Sequence, residues 1–178
     1  MTLQPINDKP THSIFVGYQG IGKSSTAGYI TNFIDLESSS FWVENGSGRF
    51  RPQGWETIYS SIALHLAAQG FNVFTSSHQK VREELASLSV NYPAVKLYTI
   101  APAPELQSLW LARLKNRLLI EDTVKNKAAY LNAVDRFVDN VNEVSTAPGF
   151  KHLIITPNDL ISGDFLTLYT FICSHIND

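Results

Sequence analysis

Short apolar runs of strand length alternate along this chain with longer stretches of helical periodicity. Residues 13–17, 32–36, 72–76, 95–100 and 152–156 read as five strands. Helical segments are predicted over 25–32, 55–69, 79–88, 104–119 and 122–144, with a last one beyond Ser162. This order predicts a parallel sheet covered by helices on both faces. Gly70 ends one helix, and Tyr92–Pro93 separates the next from its strand.

Two helical segments show a defined apolar stripe. Leu106, Trp110, Leu114 and Leu118 align along one, and Val124, Ala128, Leu131, Val134, Val138 and Val141 along the other, where they predict the buried face. The final segment is apolar on more than one side, with Phe165, Leu166, Leu168, Tyr169, Phe171 and Ile172, and is predicted to pack on the sheet. Residues 38–54 form a connection long for a compact α/β domain, and such loops are commonly functional. With 178 residues the chain fits one domain over 1–178, or a domain with a mobile lid.

Charge and composition narrow the chemistry. The net charge of −2 gives no global positive field for long nucleic acid. Cys173 is the single cysteine, so no intramolecular disulfide forms; it reads as a small core residue and suits a reducing cytoplasm. Residues 1–11 are polar, and no run reaches spanning-helix length, so a soluble cytoplasmic protein without membrane contact is expected. The histidines at 12, 65, 78, 152 and 175 lack metal-ligand spacing, and no structural zinc is expected.

Chemistry enters at GYQGIGKSS. Gly17, Gly22, Lys23 and Ser24 satisfy GxxxxGK[ST] directly after the first strand and before a helix, the order a phosphate-cradling loop requires. Gly17, Gly20 and Gly22 let the amides of this turn, including those of Ile21 and Ser25, curl around an anion where a Cβ would obstruct. Lys23 suits the β and γ phosphates of ATP, and the Ser24 hydroxyl suits Mg²⁺. The helix N-terminus adds unpaired N–H groups. The bland alternative is a glycine-rich turn with a solvated lysine.

Phosphoryl transfer also needs a carboxylate and cations for the charge that moves. Asp35 and Glu37 lie on one side of the extended segment ending the second strand, where α/β folds bind ligands. Asp35 is the candidate base or metal-side acid and Glu37 a candidate acceptor contact; turn-capping is the alternative for both. Arg113 and Arg117 stand side by side on the flank of the Leu106–Trp110–Leu114 stripe, where their repulsion suits a polyanion between them; two solvated surface arginines are the plainer alternative. Arg117 can lean on Glu121, whereas Arg113 has no acidic residue three or four positions away. In the insertion Arg49 and Arg51 flank Phe50 and suit a phosphate or base, while Trp42, Phe50 and Trp55 could stack on a nucleobase or simply pack. His78 and Arg82 follow the third strand as candidate acceptor contacts, His78 with a cap as its plainer role. That strand ends in Ser76–Ser77 rather than the aspartate familiar from ATPases and GTPases, which argues against motor and switch proteins.

In sum the layout resembles the P-loop nucleotide and small-molecule kinases. VFTSSHQKVREEL is similar to the gluconate and shikimate kinase branch, and DLESSSF with HxxVREEL and ELxxxWLxRLxxR resembles small nucleotide kinases of bacterial viruses. The resemblance implies a three-layer α/β/α P-loop NTPase fold, a five-stranded parallel sheet in the order 2-3-1-4-5, an acceptor-binding insertion at about 38–56 and a helical lid at about 101–125. It implies ATP and Mg²⁺, a donor site over 17–25 with Ser24 on the metal, Asp35 at the strand end, and Arg113 and Arg117 in the lid. The loop after the last strand, which contacts adenine in that family, selects Thr156, Pro157, Asn158 and Asp159 here. The lid is short and lacks zinc-binding cysteines, and the third-strand aspartate of adenylate and thymidylate kinases is missing. A nucleotide donor and a small acceptor are the expected partners, the acceptor a deoxynucleoside monophosphate or, alternatively, a hydroxyl on a nucleoside, sugar acid or hydroxymethylated DNA base. An ATP-binding regulatory module without transfer is the reading from another class. The chain is expected as a monomer or homodimer.

Overall fold

The computed structural model describes residues 12–46, 48–161, 164–165 and 168–176. Nine strands and six helices follow in the order β1 (Ser13–Gly17), α1 (Lys23–Tyr29), β2 (Phe33–Asp35), β3 (Val43–Asn45), β4 (Gly48–Phe50), α2 (Trp55–Ala68), β5 (Asn72–Thr75), α3 (Gln79–Leu88), β6 (Lys96–Pro102), α4 (Gln107–Ile120), α5 (Val124–Ser145), β7 (Lys151–Ile155), β8 (Leu160–Ile161), β9 (Asp164–Phe165) and α6 (Leu168–Ile176). β2, β5, β1, β6 and β7 form one sheet in that order, all neighbours parallel. Numbered along the chain, these strands read 2-3-1-4-5, as the sequence leads one to expect.

Period-two alternation on the central strands divides the core. Phe15, Phe74, Tyr98 and Ile100 join α4, α5 and α6 in one cluster, while Ile14, Val16, Val73 and Leu97 join α2 and α3 in the other. Across β2, β5, β1 and β6 runs a row of rings: Phe33 to Phe74 at 5.2 Å, Phe74 to Phe15 at 5.8 Å and Phe15 to Tyr98 at 5.3 Å between centroids. Each such pair contributes about 0.5–1.5 kcal/mol beyond its area. Packing along the row binds the strands whose C-terminal ends carry the site.

Several boundaries differ from those read in the sequence. The helix stripe Leu106, Trp110 and Leu114 is buried, with Leu118 half-buried. On α5 the expected Val141 is buried, but it shares its face with Ala133, Phe137 and Val144, while Val124, Ala128, Leu131, Val134 and Val138 are exposed. Both sets recur at helical spacing, so tertiary neighbours decide, and Arg136 (φ −139°, ψ 26°) breaks the helical course between them. β6 extends to Pro102 and takes the first residues assigned to the lid. The 38–54 stretch is not irregular: a 3₁₀ turn (Ser38–Phe41) leads into the antiparallel pair β3 and β4. Beyond Leu160 a second short pair, β8 and β9, precedes α6, so the last helix starts at Leu168. The apolar call on Leu166 lies outside the described residues, whereas Leu168, Phe171 and Ile172 are buried. Cys173 is half-buried.

Candidate functional site

β1 delivers the glycine loop to the C-terminal edge of the sheet. Gly17 pairs with Ile100 of β6, and Val16 beside it pairs with Thr75 of β5. The loop needs its glycines for specific reasons. Gly20 and Gly22 adopt φ of 81° and 101°, a region L side chains avoid. A Cβ on Gly17 would strike the Ile21 side chain, and one on Gly20 would sit 2.9 Å from Leu114 Cδ2 and 3.3 Å from Trp110 Nε1. The turn is therefore folded tightly on itself and pressed against α4. Lys23 Nζ donates to Gly17 O at 2.8 Å, spanning the hollow of the loop.

Half-buried Lys23 sits among charges of both signs. Desolvation is the largest influence and lowers its pKa to about 8; Asp35 and Glu37 pull it up, and Lys125 and Arg117 push it down. Asp35 meets the loop directly, because Ser24 Oγ donates to Asp35 Oδ2 at 2.5 Å. Glu37 accepts from Lys125 Nζ at 2.6 Å and from Ser39 Oγ at 3.2 Å. Despite the opposing effect of burial, these bonds hold its carboxyl below the usual range.

α4 brings Arg113 to the same mouth. Arg113 Nη2 lies 3.9 Å from where a Gly22 Cβ would stand, and its guanidinium lies 5.8 Å from the Trp110 ring centre. Burial and then the Arg117 charge lower the Arg113 pKa. Both arginines line a groove of about 440 Å³ with Leu109, Asn116 and Ile120. Glu121 does not pair with Arg117 among the described residues; its backbone carbonyl accepts from Asn126 Nδ2 at 2.8 Å.

The insertion gathers its own cluster. Arg51 packs between the Trp55 ring at 4.1 Å and the Trp42 ring at 4.7 Å from their centres, and Arg49 lies 5.1 Å from Trp42. Trp55 is buried beneath Arg51, so its ring serves the insertion's packing and is no open platform for a base. Arg51 Nη1 lies 3.2 Å from His78 Nε2, and since a guanidinium only donates, that nitrogen accepts. Desolvation and then the Arg51 charge lower the His78 pKa. His78 stands at the N-cap just before α3, yet its side chain makes no capping bond. Arg82 is buried and turns to Ser77 O and to Glu143, 3.8 Å away on α5. Pro157 and Asn158 form a 3₁₀ turn with Asp159, whose carboxylate accepts from Thr156 N and Oγ1, both at 2.7 Å.

Three further residues build the site. Gln19 fastens the loop to α4 and α5, its backbone carbonyl accepting from Trp110 Nε1 at 2.9 Å and its side-chain amide donating to Ala129 O at 2.8 Å. Tyr59, fully buried on α2, donates to Leu36 O at 2.5 Å and accepts from Ser76 N at 3.0 Å, tying the ends of β2 and β5. Lys125 meets Glu37. None carries a local sequence signal, since each acts across a long separation. The insertion hairpin does carry one: Gly46–Ser47 between two short runs is a two-residue turn signal.

A parallel sheet of order 2-3-1-4-5, with a GxxxxGKS loop leaving its central strand into a helix, defines a three-layer P-loop NTPase-like fold. No protein-family model matches the chain, and no curated protein does. Among solved structures it is similar to a chain described under the PezAT chromosomal toxin–antitoxin system of the human pathogen Streptococcus pneumoniae. Identity is 16%, the match covers 92% of this chain and 83% of that one, and the TM-score is 0.38, a likeness that carries no functional argument. Among the described residues no helix is long and apolar enough to cross a membrane.

Proposed function

We propose that this chain is an ATP- and Mg²⁺-dependent phosphotransferase acting on a nucleotide or related small metabolite, with a (deoxy)nucleoside monophosphate as the favoured acceptor. The observation that carries the reading is the 2.5 Å contact of Ser24 Oγ with Asp35 Oδ2 at the mouth of a glycine loop that contains Lys23. A hydroxyl and a carboxylate are the hard oxygen donors magnesium takes, and Gly20 and Gly22 hold the positive φ that curls the loop amides toward an anion, so these residues fit the pair of ligands. Ser24 and Asp35 would hold the metal, which when bound neutralises charge on the phosphate oxygens.

The remaining work falls to the chain's own groups. Lys23 and the loop amides bind the donor phosphates. Arg113 and Arg117 shield the charge that develops as the phosphoryl group moves. For a phosphate acceptor Asp35 acts on the metal side; for a hydroxyl acceptor, on a nucleoside, a sugar acid or a hydroxymethylated base, it would also receive the proton. Turnover of labelled ATP with nucleoside monophosphates, nucleosides and sugar acids, paired with thermal shifts, tests this. Phosphorylation of a monophosphate supports the reading. Tight ATP binding without turnover on any acceptor, unaltered by Arg113→Ala and Arg117→Ala, would favour a regulatory ATP-binding module instead.

A further inference from the structure

The ion pair between Lys125 and Glu37 closes the site from a side no motif marks. Their charged atoms lie 2.6 Å apart, and the side chains are 56% and 42% exposed. Glu37 follows Asp35 by two residues on extended backbone, which sets their Cα atoms roughly 7 Å apart with the side chains on one side. Asp35 touches Ser24 of the donor loop, whereas Lys125 holds the next carboxylate along the chain, beyond the Ser24–Asp35 pair.

Charge balance gives this pair a purpose. Lys23, Arg113, Arg117 and Lys125 gather near the carboxylates of Asp35, Glu37 and Glu121, four cations against three carboxylates in a chain of net charge −2. A half-exposed ion pair contributes little to stability, so it opens at small cost, and an ammonium has three donors to offer an incoming anion. We propose that Lys125 binds the anionic group of the acceptor, and that Glu37 is the partner this anion displaces. The inference rests on the donor-site reading and deepens it: the acceptor is a phosphate monoester rather than a neutral nucleoside or base.

The test titrates inorganic phosphate, nucleoside monophosphates and their parent nucleosides calorimetrically into the full chain saturated with β,γ-methylene-ATP and Mg²⁺. Lys125→Met is expected to weaken phosphate and monophosphate binding by about tenfold or more. It should leave the nucleosides unaffected, Lys125→Arg should restore most of the loss, and Glu37→Gln should bind phosphate more tightly than wild type by removing the competitor. Equal losses for monophosphate and nucleoside would make Lys125 a fastening of α5 and overturn the proposal, as would unchanged binding in Lys125→Met or no phosphate binding by the wild type. If the ATP analogue itself does not bind, the donor reading falls. The phosphate titration repeated in a Lys23→Ala chain without nucleotide still decides the role of Lys125.

Discussion

Ser24 Oγ donates to Asp35 Oδ2 across 2.5 Å, joining the loop after the central strand to the end of a strand two places away in the sheet. Nothing local brings these residues together. β5 lies between β1 and β2, and Tyr59 bonds the ends of β5 and β2 from beneath. Asp35→Asn keeps the shape and removes the charge. It should slow transfer to a monophosphate acceptor by weakening the metal site, and transfer to any hydroxyl acceptor by about a hundredfold or more, the usual scale for loss of a general base. Initial rates with excess Mg²⁺ measure this, and a near-normal rate would make Asp35 structural.

Lys23 sets a pH dependence. Its folded pKa of about 8 lies below the ordinary 10.5, so between these values the unfolded chain binds the extra proton and this group's contribution to stability rises with pH. Below pH 8 the buried ammonium is charged in both states and disfavours folding, so Lys23→Met is expected to raise the melting temperature at pH 7 while abolishing donor binding. Phosphates favour the charged form, so above pH 8 ATP-analogue binding should take up a proton. Calorimetry in buffers of different ionisation enthalpy reads that uptake directly.

Two glycines should respond oppositely to alanine. Gly20→Ala places a Cβ against Leu114 and Trp110 at positive φ, and is expected to cost about 1–3 kcal/mol. Gly28 lies inside α1 with nothing near its missing Cβ, so Gly28→Ala should stabilise by up to about 1 kcal/mol. Urea unfolding of the two variants gives both signs.

Tyr59→Phe leaves Leu36 O and Ser76 N without their partner and is expected to destabilise by about 1–3 kcal/mol. Because the lost bonds hold the strand ends, turnover at saturating substrates should fall more than the thermal stability alone would explain. Denaturant midpoints and kcat on the same preparations separate the two effects.

Acidification should loosen the insertion. The His78 pKa is lowered, so the neutral ring that accepts from Arg51 belongs to the folded state, and its contribution is lost as pH falls from the ordinary imidazole value through the lowered one. Fluorescence of Trp42 and Trp55 in a Trp110→Phe chain should shift over that range, and His78→Gln should remove the shift.

The five strands and the donor loop are legible because each rests on local pattern: strand-length apolar runs, and glycines at positions where the turn admits no side chain; the strand order follows only from the resemblance to P-loop kinases. The α5 face is not, because Leu131, Val134 and Val138 compete with Ala133, Phe137 and Val141 at nearly the same period, and packing on β6 and β7 selects the second set. Trp55 shows the same ambiguity, its aromatic surface serving Arg51 and Phe41 rather than open space. Lys125, Gln19 and Tyr59 escape sequence reading for a different reason. Their partners lie 88, 110 and 23 residues away, and only the folded sheet brings those segments together.

A crystal grown with a non-hydrolysable ATP analogue and Mg²⁺ tests the central claim most directly. The triphosphate is expected within the Gly17–Ser25 turn, with Lys23 Nζ released from Gly17 O onto phosphate oxygens and the metal between Ser24 and Asp35. An analogue bound elsewhere, or Lys23 still bonded to Gly17 O beside an empty turn, would contradict it.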